Sequence, residues 1–454
     1  MEKKQGNIVK SAATLGVGAM LAKLLGAIYR IPLTNLLGGL GLGLYQMVFP
    51  VYSVLLDFSG AGAPSALSKI ISSYNGEDKE RNAYNYLSGS LRLFFFFGLF
   101  CSLIMLIFAK PLAMAQGNSD AYLAYLFLSP AIFGVSLISC FRGYFQGKMN
   151  MVPTAVSQII EQLVKLGFGL LFAYLFLPNI PKAVAGATFA ITLSEFSALV
   201  YLFSVYLKSK KKLGVRFCFE KNNFGVRAKT VIKNTVPITL TGIMLPLSQV
   251  IDSFLILNLL GAYRQDATSL YGLLSGVAAT VIGLPVSVCY GVAAVAIPTV
   301  SASKTETEKR SNASKTLLLT TLVALPCAIF TAIFAPFIIG LLFRGLNGEE
   351  KLIAINLLRL SSPNVLLLSL LQTGNAVLIG KGKLYFPVLS LSVGVAVKTV
   401  LNLILLDMPR VNIYGGALAI IACYFTVCLL NLFIIFSEKV KNEDSRSCRR
   451  EYAS

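Results

Sequence analysis

Two thirty-residue stretches decide how this chain is read: VKSAATLGVGAMLAKLLGAIYRIPLTNLLG at residues 9–38 and IKNTVPITLTGIMLPLSQVIDSFLILNLLG at residues 232–261. Each carries a lysine at its second position, Lys10 or Lys233, and closes 25 residues beyond it on Asn-Leu-Leu-Gly, so both marks share an offset of 223. Between the marks each stretch is long and apolar enough for a bilayer crossing, which takes about 20 residues at 1.5 Å rise. Further on, Gly60-Ala61-Gly62-Ala63-Pro64-Ser65-Ala66-Leu67-Ser68-Lys69 echoes the run from Gly291 through Ala296-Ile297-Pro298-Thr299-Val300-Ser301-Ala302-Ser303-Lys304, with a few residues inserted. Ordered matches of this kind mark an internal repeat.

Working outward, the composition agrees. Of 454 residues 56% are hydrophobic and 13% charged, mean hydropathy is +0.72, and His and Trp are absent. Soluble domains carry roughly 25% charged residues, so a soluble globular protein is excluded. Apolar runs predict twelve spans at about 8–36, 39–58, 85–109, 120–141, 153–177, 183–207, 232–259, 269–298, 314–342, 352–379, 385–407 and 413–437. The expected fold is an all-α polytopic membrane protein of two six-helix lobes around a central cavity. Residues 1–207 form the N-terminal lobe, 208–230 a basic linker, 231–437 the C-terminal lobe and 438–454 a polar tail. Six spans per half start both halves on the same side, so the repeats are parallel, which is a transporter arrangement with the substrate site between the halves.

The net charge of +20 follows topology. With the N-terminus inside, and with Lys10, Lys233 and Lys315 at the cytoplasmic ends of their spans counted as cytoplasmic, cytoplasmic segments hold 28 of the 40 basic residues, and external ones hold six, Lys110, Lys182, Arg264, Arg344, Lys351 and Arg410. This positive-inside bias places both termini in the cytoplasm and accounts for the basicity without nucleic acid. The linker lysines and arginines from Lys208 to Lys229 read as topology, or as a surface for anionic membrane lipids. The first span is too long for a signal-peptide core and carries Lys23 and Arg30. The eight cysteines lack Cys-x-x-Cys spacing, so neither a disulfide framework nor a metal site is expected.

Ionisable residues inside spans are functional candidates by default, because each costs about 2.5–3.5 kcal/mol at mid-bilayer. The cations Lys23, Arg30, Arg359 and Lys398 are the candidate substrate-binding set, and Asp57, Glu161, Lys165, Glu195 and Asp252 the candidate ion-coupling or polar network. Lys23 and Arg30 are two helical turns apart, on similar faces, and suit an anionic substrate; the alternative is that each snorkels to an interface. Glu161 and Lys165 stand at i,i+4, so they either serve the cavity or neutralise each other. Asp252 has no cation within a turn, so it pairs across helices, binds a cation or is protonated. Arg92 and Asp57 are near span ends and also read as interfacial. Pro32, Pro50, Pro246 and Pro285 are candidate hinges, since broken helices are tolerated only where freed backbone groups find partners.

Several motifs carry a family resemblance: Gly41-Leu42-Gly43-Leu44-Tyr45 with Pro50, Gly62 to Lys69, Arg142-Gly143-Tyr144-Phe145-Gln146-Gly147, Pro153-Thr154-Ala155-Val156-Ser157-Gln158, Glu161-Gln162, Leu284-Pro285, Gln372-Thr373-Gly374-Asn375, and Lys398 with Asn402. Through them the chain resembles the polysaccharide-transport branch of the multidrug/oligosaccharidyl-lipid/polysaccharide exporter superfamily, in its stage V sporulation protein B and MurJ-like group. The resemblance implies two lobes around a cavity and translocation of an undecaprenyl-pyrophosphate-linked saccharide across the bacterial cytoplasmic membrane. By position, Lys23 and Arg30 fall where MurJ-like proteins line the cavity with cations. Membrane lipids and cell-wall synthesis proteins are the expected partners. No cofactor is expected, and without an ATP-binding motif the drive falls to membrane potential, H+ or Na+. Cation-coupled multidrug export in the same superfamily is the rival reading. A membrane-embedded glycosyltransferase or phosphatase would need a cluster of acids or bases at an aqueous face, which the short external loops lack.

Overall fold

The structure is a computed structural model that describes residues 2–74, 76–213, 224–301, 303, 305–383 and 385–437. Much of the linker and all of the polar tail lie outside the described residues, as do the side chains of residues 2–24. Helix dominates, and no strand occurs among the described residues.

The first helix, α1 (Glu2–Leu56), is 55 residues long, about 80 Å at 1.5 Å per residue, and therefore more than one crossing of a ~30 Å core. It bends at Gly38, whose φ of 65° is a left-handed value that a side chain disfavours. The repeat's closing glycine is thus where span one turns into span two. A π-helical turn (Asp57–Ala61) and the short α2 (Ala63–Ser72) finish this segment. The N-terminal half continues with α3 (Gly76–Ile107), α4 (Ala109–Ala115), α5 (Tyr122–Gly147), α6 (Val152–Leu175) and α7 (Ile180–Leu213). The second half has α8 (Phe224–Gly261), α9 (Ala267–Gly272), a second π-helical turn (Leu273–Ala278), α10 (Ala279–Ser301), α11 (Glu306–Ile333) and α12 (Ala335–Leu342). It ends with α13 (Gly348–Ser361), α14 (Pro363–Gly380), α15 (Phe386–Leu405) and α16 (Tyr414–Phe436). Eleven described segments are long and apolar enough to cross a membrane, and the first, Ile28–Ser72, is the one bent at Gly38. Twelve crossings result.

Packing follows the halves. Helix α5 lies against α3 and α7, and α6 against α7 and α1; in the second half α14 is packed by α10, α11 and α16, and α15 by α16 and α8. The two groups meet where α1 crosses α8, α9 and the second π-helical turn. Glycine makes this crossing possible. A Cβ on Gly43 would collide with the Thr268 carbonyl, and one on Gly272 with the backbone of Gly39 and Gly43. Such small-residue contacts let helix backbones approach closely where lipid supplies no hydrophobic drive.

The repeated asparagines close the same end of the molecule. Asn35 donates from Nδ2 to the Leu342 carbonyl at 2.9 Å and accepts from the Gly345 amide at 3.0 Å. Its counterpart Asn258 donates to the Ala115 carbonyl at 2.9 Å. Each half thus reaches from its first span to the end of the other half's third. Gln116 adds a buried cross-bond to Ser253 Oγ at 2.9 Å. This closed end is the one that the charge bias assigns to the outside.

The expected hinge prolines do not coincide with the breaks in the helices. Pro32 and Pro50 lie inside α1, Pro246 inside α8 and Pro285 inside α10, all in continuous helix. The departures from α geometry are at Gly38 and at the two π-helical turns, which close span two and open span eight. A proline missing one N–H leaves one carbonyl free, whereas a glycine or an inserted residue redirects the chain.

Candidate functional site

Between the two halves lies a cavity with two connected chambers. The larger, ≈ 560 Å³, is walled by Tyr29 and Arg30 of α1, Arg142 of α5, Gln158, Glu161, Gln162 and Lys165 of α6, and by residues of α10 and α14 that include Thr280 and Gln372. The smaller, ≈ 340 Å³, holds Asp252 of α8, Ser361 of α13, Asn364 of α14 and Lys398 of α15. Arg30, Phe49, Ala279, Gly283 and Leu368 belong to both walls, so Arg30 stands at the junction. These volumes are in the range of small-molecule sites.

Helix α6 faces the large chamber by periodicity: positions 158, 161, 162 and 165 fall on one stripe. Glu161 does not pair with Lys165, which corrects the self-neutralising i,i+4 reading. Its Oε2 accepts from Arg142 Nη2 at 2.9 Å, while Arg142 Nε donates to Ser157 Oγ at 3.1 Å. A planar guanidinium aimed from a neighbouring helix satisfies two acceptors at once, which the point charge of an ammonium cannot match. Lys165 stands instead with its Nζ 5.6 Å from the Tyr29 ring centroid, and Arg30 with its Cζ 5.8 Å from that of Phe49. Both are cation–π distances. Tyr29 reaches this place because Gly169 leaves bare backbone on α6, where a Cβ would meet the Tyr29 hydroxyl at 2.6 Å. Among the described lining residues of the large chamber, Arg30, Arg142 and Lys165 are cationic against Glu161 alone. Neither Arg30 nor Lys165 is in an ion pair among the described residues.

In the small chamber Asp252 and Lys398 find each other across helices. Lys398 Nζ donates to Asp252 Oδ2 at 2.7 Å and to the Ser248 carbonyl at 3.2 Å, with a further bond to Ser248 Oγ. Asn402 Nδ2 donates to Asp252 Oδ1 at 3.0 Å. Both carboxylate oxygens are therefore occupied, and Lys398 is only 4% exposed. Of the three readings for Asp252, pairing across helices is the one realised.

Other predicted residues fall elsewhere. Arg359 is exposed: the buried face of α13 is Ala354, Leu357, Leu358 and Ser361, and position 359 lies off it. It is on neither cavity wall, which corrects its assignment to the substrate set. Asp57 sits half-buried in the first π-helical turn, facing Gly242 of α8; Glu195 is buried behind the wall beside Gly134, but lies against Glu161 and so belongs with Arg142 and Lys165 to the charged cluster of the large chamber. Lys23 is on α1, but its side chain lies outside the described residues. Arg142 escapes the sequence reading as a site residue because the predicted span four ends at 141, whereas α5 continues to Gly147. Tyr144 and Phe145, which resume the apolar run beyond Arg142, are the available signal. The sequence motifs contain Gln158, Gln162 and Gln372, but their polarity alone assigns them no role.

Comparison with known proteins agrees with this architecture. The chain belongs to the polysaccharide biosynthesis protein family, matched over residues 8–304. The lipid II flippase MurJ of Bacillus subtilis is 26% identical over 94% of this chain and 82% of that protein. Stage V sporulation protein B of the same organism is 27% identical over 93% of this chain and 82% of its own length. Among solved structures, the inward-facing conformation of a multidrug resistance MATE family transporter of the MOP superfamily aligns with a TM-score of 0.78 at 16% identity, covering 94% of this chain and 97% of that one. The fold is thus that of the superfamily, and the relatives bear the names of a flippase and a transporter, not of enzymes.

Proposed function

We propose that this protein is a flippase that moves a prenyl-pyrophosphate-linked saccharide across the cytoplasmic membrane of a bacterium by alternating access, with both termini in the cytoplasm. The observation that carries this reading is the pair Arg30 and Lys165, two cations from facing helices that share one chamber and have no carboxylate partner among the described residues. Guanidinium and ammonium groups are the usual partners of phosphate oxygens. The pyrophosphate lies between them, the prenyl chain stays in lipid, and the closed Gly38 end opens as the lobes rock. An inside-negative potential favours outward passage of an anion by about 2.3 kcal/mol per charge per 100 mV. Homology to a lipid II flippase supports the substrate class. Export of cationic drugs would need a free carboxylate in the cavity, and Glu161 and Asp252 are both engaged by cations.

The test is reconstitution in proteoliposomes with a labelled undecaprenyl-pyrophosphate-linked saccharide, following its appearance in the opposite leaflet. Arg30→Ala and Lys165→Ala should each slow flipping at least tenfold at normal expression, and Arg359→Ala should leave it unchanged. Normal flipping by the Arg30→Ala/Lys165→Ala double variant would overturn the proposal.

A further inference from the structure

Resting on that reading, we propose that three glutamine side chains, Gln158, Gln162 and Gln372, form a subsite for the sugar ring next to the pyrophosphate, so that the protein distinguishes a glycosylated carrier from the bare one. All three line the large chamber that holds Arg30 and Lys165. Of the buried side-chain oxygens without a hydrogen-bond partner among the described residues, five belong to walls of this one chamber: Tyr29, Gln158, Gln162, Thr280 and Gln372. Buried polar groups are ordinarily paired, and a group left unpaired is costly. Such a concentration in one place points to a ligand that supplies the missing donors.

The chemistry of these groups selects the ligand. A primary amide offers an acceptor oxygen and two N–H donors, and the terminal torsion of glutamine is soft, so rotation turns the unpaired carbonyl toward the chamber. Sugar hydroxyls are donors and acceptors together, and an acetamido group presents one N–H and one C=O. A pyrophosphate has only acceptors, and the two cations serve it. Gln158 and Gln162 are one turn apart on α6, and Lys165 follows on the same stripe, so a phosphate held at Lys165 places the adjoining ring along the glutamines. Gln372 approaches from α14 in the other half, so the sugar would be gripped by both lobes. Gln162 donates to Glu161 at 3.3 Å and packs its carbonyl oxygen against Gly26, so its amide is held in place, and the rotation belongs to Gln158 and Gln372.

The test compares binding of two probes to the purified protein in lipid nanodiscs: undecaprenyl pyrophosphate, and the same lipid carrying one N-acetylglucosamine. Wild type should bind the sugar-bearing lipid roughly tenfold or more tightly, the equivalent of one or two hydrogen bonds. Gln158→Leu/Gln372→Leu should lose that advantage while binding the bare pyrophosphate as wild type does, which also shows that the variant is folded. Should the leucine pair fail to bind the bare lipid, Gln158→Asn/Gln372→Asn keeps polarity but shortens the reach, and should lose the advantage alone. Arg30→Ala should weaken both probes by the same factor. No preference in wild type, or a preference kept by the glutamine variants, overturns the subsite and leaves the cation pair standing. Failure of wild type to bind either probe overturns the flippase reading itself.

Discussion

The asparagine pair at the closed end offers a perturbation whose size can be worked out. Replacing Asn35 by Ala removes two hydrogen bonds between the halves, to the Leu342 carbonyl and from the Gly345 amide. A net contribution near 1 kcal/mol each makes the closed state about 2 kcal/mol less stable relative to the open one, or roughly thirtyfold in the equilibrium. Asn258→Ala removes one cross-bond, to Ala115, and should shift the equilibrium by about fivefold. The two sites share no partner, so the double variant should approach the product of the two. Thr34→Ala is the control, since among the described residues Thr34 Oγ1 bonds only to the Arg30 carbonyl of its own helix. Spin labels at the exposed positions 182 and 349, on opposite halves near this end, would report the populations as short and long distances in nanodiscs. An Asn35→Ala distribution that differs from wild type no more than Thr34→Ala does would refute the idea that these bonds hold the end shut.

Arg142→Ala leaves Glu161 in a largely buried place without its cation, and loss of one partner from a buried pair costs about 3–5 kcal/mol; thermal unfolding in detergent should show a large fall, partly recovered by Arg142→Met/Glu161→Gln. The same logic applies to Lys398→Ala, which strands Asp252. Lys398→Met/Asp252→Asn should be more stable than the single change, and equal stability would remove the pair from any structural role. Gly43→Ala pushes a methyl against the Thr268 carbonyl and should force the α1–α9 crossing apart, read as the long distance between labels at 182 and 349.

Some of this was written in local sequence and some was not. Apolar run length and the repeated Lys and Asn-Leu-Leu-Gly marks were enough for about twelve membrane helices in two lobes, because each depends on a short segment meeting lipid or water. Helical periodicity also put Glu161 and Lys165 on one face of α6. Pairing was beyond its reach. Lys165 was the nearest cation to Glu161 along the chain, yet Arg142 holds that carboxylate, and Asp252 meets Lys398 at a separation of 146 residues. Arg359 shared the list with Lys398 but ended at the surface, because the rotation of α13 about its axis is set by what the neighbouring helices bury. A sequence determines how far a helix runs and which residues share its face. Which face meets which, and therefore which charges cancel and which are left for a substrate, is decided only when the helices pack, since an ion pair depends on a few ångströms of separation between segments that the chain does not connect locally.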